Sequence, residues 1–259
     1  SLAQTLTVTT IDDADTVGLV LSKSSGVVSE NGSVSDNFSV VLRSEPTANV
    51  TLTLSDNDST EVSATPNTLS FGSGNWSVAQ WITLTGKDDN VSDDNQTTLL
   101  TLTPSGGDYG SVSAQTLTVT TSDNDTAGLT IVESGSGTTA VEGGDNDTFT
   151  VRLASRPTGS VVLSVQASNS ADVSVNPTTL SFDNSSSSWQ TAQTVTVSAV
   201  NDAVDDDNVT SIITISVNTS STTDGKYDLV SSDNLTVVTV SDNDTAGLVL
   251  SKSSGVVSE

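Results

Sequence analysis

The chain has 259 residues, carries 32 acidic and 7 basic side chains for a formal charge of −25, and contains no Cys, His or Met. Without Cys and His it has no thiol nucleophile, imidazole base, disulfide or zinc site, so we expect no catalytic function. The negative charge opposes binding to nucleic acid phosphates and to acidic membranes. No apolar stretch approaches the roughly 20 residues needed to cross a bilayer, which predicts no direct membrane insertion.

Short runs of alternating apolar and polar residues, rich in Val and Thr, recur along the whole chain. Strict alternation with β-branched residues is typical of half-buried strands. The pattern predicts an all-β fold built from tandem antiparallel β-sandwich modules of immunoglobulin-like type, arranged end to end. In the first module the predicted strands fall near 17–23, 26–30, 36–43, 49–55, 60–64, 68–72, 79–87, 96–103 and 114–121.

Two levels of internal repetition organise the sequence. The segment Ala3–Thr10 recurs unchanged as Ala114–Thr121, and related pairs keep a similar spacing, so one module has about 110–120 residues. The segment Gly18–Glu30 returns without change as Gly247–Glu259, so two modules form a larger unit of roughly 229 residues. Near-identity over such a distance indicates recent duplication and favours a long array over two similar domains of an ordinary protein.

These repeats set the predicted domain boundaries. Residues 1–16 are interpreted as the end of a preceding module, 17–126 as the first sandwich module and 127–245 as the second. Residues 246–259 are interpreted as the start of a third module. We therefore expect the chain to be part of an array whose neighbouring modules are copies of one another.

Three segments occur in the same order in both modules: an early Glu, an acidic run after a strand, and a closing Asp-Asn-Asp-Thr sequence. In the first module they lie at 27–32, 82–94 and 122–128. Together they resemble the Calx-β repeat family, in the version found in large prokaryotic extracellular and surface proteins. The resemblance implies a Calx-β-type sandwich in which the acidic segments converge at one end and bind calcium.

The resemblance also implies which residues bind the calcium ion. Calcium takes six to eight oxygen ligands, which closely spaced carboxylates can supply, and these carboxylates repel one another when no cation is bound. Magnesium tolerates such irregular sites less well. The implied ligands are Glu30, Asp88, Asp89, Asp94, Asp123 and Asp125 in the first module, and Glu142, Asp202, Asp207, Asp242 and Asp244 in the second, with Asp206 as a substitute.

Two departures from the family pattern reduce the charge of these predicted sites. Asn201 stands at the first position of the second acidic run, and Asn124 and Asn243 occupy the middle of the closing triplets. An Asn still offers a carbonyl oxygen, but the lost charge lowers the expected affinity. The alternative interpretation is that the acidic residues form only a solvated surface. Because the closing triplet also joins one module to the next, a cation bound there would stiffen the junction and convert a flexible string into a rod.

Asparagine occurs mainly in Asn-x-Ser/Thr glycosylation motifs. Fourteen of the 18 Asn residues lie in such motifs, whereas chance placement would give only about six. The excess predicts N-glycosylation at an extracellular surface, although Asn and Thr also share turns and strand edges for conformational reasons. The candidate sites are Asn31, Asn37, Asn49, Asn57, Asn75, Asn95, Asn184, Asn208, Asn218 and Asn234.

The leading functional hypothesis is a calcium-stiffened structural repeat of an extracellular or cell-surface protein, forming an adhesin extender or a self-assembling filament. A module that binds a carbohydrate or protein ligand directly is the first alternative, and Trp81 favours it because the second module has Thr194 at that position. A regulatory calcium sensor and a metal-dependent hydrolase are further alternatives. The four Phe residues recur at fixed positions and are predicted core residues.

Overall fold

The computed structural model describes residues 16–135, 137–185, 187–205, 207–251 and 254–255. Its strands form two compact units, and each unit is a sandwich of one four-stranded and one five-stranded sheet. The predicted all-β sandwich class is confirmed. Within the described residues, no helix is long and apolar enough to span a membrane.

The first unit contains nine strands. The four-stranded sheet has the order β1-β3-β7-β5, and the five-stranded sheet has the order β2-β9-β8-β4-β6. The strands are β1 (Leu19–Leu21), β2 (Ser25–Ser29), β3 (Ser35–Leu42), β4 (Val50–Asp56), β5 (Val62–Thr65), β6 (Thr68–Phe71), β7 (Gln80–Gly86), β8 (Gln96–Ser105) and β9 (Gln115–Ser122).

The second unit repeats this arrangement strand by strand. Its sheets have the orders β10-β12-β16-β14 and β11-β18-β17-β13-β15. The strands are β10 (Leu129–Glu133), β11 (Thr139–Val141), β12 (Asp147–Leu153), β13 (Val161–Ala167), β14 (Val173–Asn176), β15 (Thr179–Phe182), β16 (Gln193–Ala199), β17 (Val209–Val217) and β18 (Asp233–Ser241).

The core of each unit lies between its two sheets and is built from alternate strand positions. In β3, Phe38, Val40 and Leu42 are buried, and the residues between them are more exposed. All four Phe residues are buried, as predicted, and burying each large apolar side chain contributes roughly 1.5–3 kcal/mol. Trp81 lies on the outer face of β7 and keeps 58% of its surface exposed.

A buried tyrosine side chain ties two loops together at one end of each sandwich, and we call this arrangement the tyrosine closure. It was not predicted from the sequence. Tyr109 lies in the short 3-10 helix Gly107–Ser111, and its hydroxyl donates a hydrogen bond to the Ser44 carbonyl at 2.8 Å. In the second unit, the Tyr227 hydroxyl donates to the Ser155 carbonyl at 2.7 Å. The bond ties the loop after the third strand to the segment before the last strand, so it fixes two elements that are distant in sequence.

One strand pair in each unit is parallel, a feature that the alternation of residues did not predict. Strand β2 pairs in parallel with β9, and β11 pairs in parallel with β18. These pairs arise because β1 and β2 follow one another closely but belong to opposite sheets. The Asp36 carboxylate holds this crossover by accepting the Val27 main-chain N–H at 3.1 Å and the Lys23 ammonium group.

Candidate metal centres

The parallel pair of the first unit brings two acidic segments to the same sheet edge. Ser29 and Ser122 are paired at the ends of β2 and β9, and the Glu30 main-chain N–H donates to the Ser122 carbonyl at 3.1 Å. The strand pairing therefore brings Glu30 close to the closing Asp-Asn-Asp segment at 123–125. Carboxylate oxygens of Glu30, Asp123 and Asp125 all lie within 4.8 Å of one another. We call these three residues the first acidic cluster.

The second unit builds the same arrangement. Val141 and Ser241 are paired at the ends of β11 and β18, and the Glu142 main-chain N–H donates to the Ser241 carbonyl at 3.1 Å. Carboxylate oxygens of Glu142, Asp242 and Asp244 lie within 4.8 Å of one another. These residues form the second acidic cluster.

Glu30 is an unusual carboxylate because it is almost completely buried. Its side chain is 3% exposed, and its Oε2 atom has no hydrogen-bond partner among the described residues. Burial raises the pKa of Glu30 to about 7, opposed by the Asn124 main-chain N–H and reinforced by the Asp123 and Asp89 carboxylates. A buried carboxylate with an unsatisfied oxygen costs folding free energy unless a cation or a donor meets it.

Two further acids, the buried Glu61 and the half-buried Asp93, lie beside the first acidic cluster. Glu61 is 6% exposed, and its Oε2, like the Oδ1 of Asp93, has no hydrogen-bond partner among the described residues. Burial raises the pKa of both carboxyls, and Asp89 and Asp123 reinforce this effect on each of them. Neither residue was predicted from the sequence as a calcium ligand. Asp93 lies inside the predicted acidic run, whereas the isolated Glu61 before β5 gives no sequence signal.

A tight turn in the acidic run wraps main-chain amides around the cluster carboxylates. Asp94 and Asp207 occupy matching places in the two units and have φ values of 67° and 63°, in the left-handed region. The N–H groups of Asp93 and Asp94 donate to Asp123 Oδ2 at 3.1 and 2.9 Å. The Asp207 N–H donates to Asp242 Oδ2 at 3.2 Å. The turn therefore orients the carboxylates through backbone donors.

The remaining predicted ligands are not members of the two acidic clusters. Asp89 and Asp202 are close enough to raise the pKa of Glu30 and Glu142, respectively. Asp88 is exposed and is not among the residues of the first acidic cluster. Asp206 lies outside the described residues, so its predicted role as a substitute ligand stays a prediction.

An amide bridge distinguishes the second acidic cluster. The Nδ2 atom of Asn243 donates to the Glu142 carbonyl at 2.7 Å and to Asn201 Oδ1 at 2.8 Å. Glu142 is 6% exposed, and its Oε2 and the Oδ2 of Asp244 have no hydrogen-bond partner among the described residues. Burial raises the pKa of Glu142, opposed by the Asn243 main-chain N–H and reinforced by Asp202 and Asp242.

The residues of both clusters suit a calcium ion. Oxygen atoms that share one calcium ion lie 2.3–2.6 Å from it, so they are separated by no more than about 5 Å. The oxygens of each cluster meet this limit, since all lie within 4.8 Å of one another. Every candidate side-chain ligand is an oxygen, which matches a hard cation. A calcium ion would supply the positive charge that the buried carboxylates lack.

The predicted glycosylation sites lie mainly on the surface. Nine of the ten candidate Asn residues are exposed, and Asn218 is half-buried. Asn95 and Asn208 also orient the clusters, because their Oδ1 atoms accept the main-chain N–H groups of Asp123 at 3.1 Å and Asp242 at 3.2 Å. Their exposure leaves room for a glycan, and glycosylation stays a prediction.

No protein-family model and no curated protein matches the chain. Among solved structures, the chain is similar to CBD12 from CALX1.2, with 19% identity over 76% of this chain and 79% of that chain and a TM-score of 0.33. It is also similar to domains 4 and 5 of the S-layer protein SbsC, with 18% identity, 74% and 70% coverage and a TM-score of 0.33. A domain of intimin shows 14% identity, 88% and 100% coverage and a TM-score of 0.31.

Proposed function

We propose that the chain is a structural segment of a tandem array in a large extracellular or cell-surface protein, in which each sandwich binds calcium at its acidic cluster. One observation carries this proposal: the same cluster of buried and half-buried carboxylates is built twice, at the ends of the same parallel strand pair. The resemblance of the acidic segments to Calx-β repeats supports it. The proposed role is not catalytic.

In the first unit, Glu30, Asp123 and Asp125 would hold the ion, with Glu61 and Asp93 nearby to add charge. In the second unit, Glu142, Asp242 and Asp244 would hold it. The bound ion would neutralise carboxylates that otherwise repel one another, so the folded chain gains stability from calcium by mass action. The chain itself supplies the rigid strand ends and the turn amides that position the ligands.

The proposed array has neighbouring copies of the same module as its main partners. It would form a rod, a filament that self-assembles, or an adhesin extender. The repeated sequence supports this role because a spacer needs uniform modules more than distinctive binding sites. Glycans on the exposed Asn-x-Ser/Thr motifs, together with the charge of −25, would protect strand edges from aggregation.

Calorimetric titration with calcium, combined with thermal unfolding, tests the proposed function. We expect calcium to bind residues 1–259 and to raise the unfolding temperature. The double variant Glu30→Gln/Glu142→Gln should lose most of both effects, whereas Asp56→Asn, at an exposed strand end, should keep them. No heat of binding and no change in unfolding temperature for the natural chain would contradict calcium binding.

Direct adhesion is the second candidate function, because Trp81 is 58% exposed on a sheet face where the second unit has Thr194. Exposed aromatic rings can stack on sugar rings. Quenching or shift of Trp fluorescence by neutral polysaccharides tests this candidate, with Trp81→Thr as the matched variant. A response that survives in Trp81→Thr, or no response in the natural chain, would exclude Trp81 as an adhesive residue.

A further inference from the structure

The Asn243 amide bridges two neutral oxygen atoms beside the second acidic cluster. Its Nδ2 group donates one hydrogen bond to the Glu142 main-chain carbonyl and one to Asn201 Oδ1. Gly143 makes room for this bridge: a Cβ atom there would lie 2.8 Å from Asn201 Oδ1 and 3.1 Å from Asn243 Nδ2. The bridge therefore needs the side chains of Asn201 and Asn243 and the absence of a side chain at Gly143.

The first unit has one more carboxylate, and a side chain in place of a glycine, at the positions that correspond to the bridge. Asp88 stands where Asn201 stands in the second unit, and Asn31 stands where Gly143 stands. Glu61 corresponds to Asp172, but Asp172 is not left unsatisfied, because its Oδ2 accepts a hydrogen bond from Asn169. The Asn169 amide thus satisfies Asp172 in the second unit, whereas Glu61 Oε2 in the first unit is buried and has no hydrogen-bond partner among the described residues.

We propose that the neutral Asn243–Asn201 bridge weakens calcium binding at the second acidic cluster, so that the chain contains one strong calcium site, at Glu30, and one weak site, at Glu142. This inference rests on the proposed calcium-binding function. The physical reason is charge: the affinity of a calcium site increases with the number of carboxylate ligands, and neutral donors satisfy oxygens without adding charge. The bridge also lets the second unit keep its loop arrangement when calcium is removed.

Substitutions at the matching positions Asn201 and Asp88 test the inference. Calcium titration by calorimetry should resolve two classes of sites in the natural chain. Asn201→Asp should raise the affinity of the weak class about tenfold, and the matched variant Asp88→Asn should lower that of the strong class by about the same factor. Glu142→Gln should remove the weak class alone, and Glu30→Gln should remove the strong class alone.

Thermal unfolding in a chelator provides a readout that does not depend on calcium. Asn201→Asp should lower the unfolding temperature in chelator, because a carboxylate replaces a neutral acceptor, and calcium should restore it, which shows that the variant folds. Loss of the weak class in Glu30→Gln, or an unchanged weak affinity in Asn201→Asp, would overturn the inference. A chain that binds no calcium would instead contradict the proposed function.

Discussion

At the scale of single residues, Glu30 combines burial, negative charge and an unsatisfied oxygen at the end of the first sandwich. Without a cation, this arrangement opposes folding. We expect Glu30→Gln to raise the stability of the chelated chain at about pH 8 by roughly 1–3 kcal/mol, because the substitution removes the buried charge. Urea unfolding in chelator measures the change.

The same substitution should have the opposite effect in calcium, because it removes a ligand. In saturating calcium, Glu30→Gln should be less stable than the natural chain, and the exposed control Asp56→Asn should change little in either condition. A variant that is destabilised in chelator would show that Glu30 stabilises the fold by itself.

The raised pKa of Glu30 predicts a dependence of stability on pH that calcium should suppress. The folded pKa of about 7 lies above the ordinary value of 4.5, so between these values the folded state binds more protons than the unfolded state. In chelator, stability should therefore fall as pH rises from about 5 to about 7. In saturating calcium it should change little over the same range, because the ion keeps the carboxylate ionised in the folded state and the same group is also ionised in the unfolded state.

Unfolding temperatures measured from about pH 5 to about pH 8, with and without calcium, test this prediction. Glu61, Asp93 and Glu142 also have raised pKa values and act in the same direction. Glu30→Gln should flatten the curve in chelator. Parallel curves in calcium and chelator would show that the cluster carboxylates are not linked to calcium binding.

At the scale of strands and turns, the tyrosine closures make a separate prediction. Tyr109→Phe removes the hydroxyl that bonds to both the carbonyl and the N–H of buried Ser44, at 2.8 and 3.1 Å. Leaving these groups unpaired should cost about 1–3 kcal/mol of unfolding free energy. Tyr227→Phe should cost a similar amount through Ser155. Denaturant unfolding in calcium measures both, and no loss in either variant would show that the closure contributes nothing.

Local patterns predicted the strands well but not their partners. The period of two and the turn residues placed all nine strands of the first unit within a few residues of β1–β9. The parallel pairs could not be predicted in this way, because alternation states which face is buried and not which strand lies alongside. The tyrosine closures are missed for the same reason, since each joins residues more than 60 positions apart.

The candidate site could likewise be predicted only where its residues lie in recurring segments of the sequence. Glu30, Asp123 and Asp125 carry a sequence signal because they lie in segments that recur in order, and the structure brings them together. Glu61 has no such signal: only the packing of β5 against the acidic run places it there. The Asn201–Asn243 bridge also depends on distant contacts, although both Asn residues were recognised as departures from the family pattern.

At the scale of the whole molecule, repetition is the dominant property of the chain. Two sandwiches with the same sheet orders each place an acidic cluster at the end of their parallel pair. Under the proposed function, each sandwich gains stability from the ion that its own acidic cluster binds. The net charge of −25 makes copies of the chain repel one another in solution.

Small-angle X-ray scattering of residues 1–259 in calcium and in chelator tests the central claim most directly, with Glu30→Gln/Glu142→Gln as the control. A calcium-stiffened structural array predicts a rigid, elongated particle in calcium that becomes flexible or expands in chelator. The double variant should give the chelator profile in both conditions. Identical profiles of the natural chain with and without calcium would contradict the claim that calcium stiffens the chain.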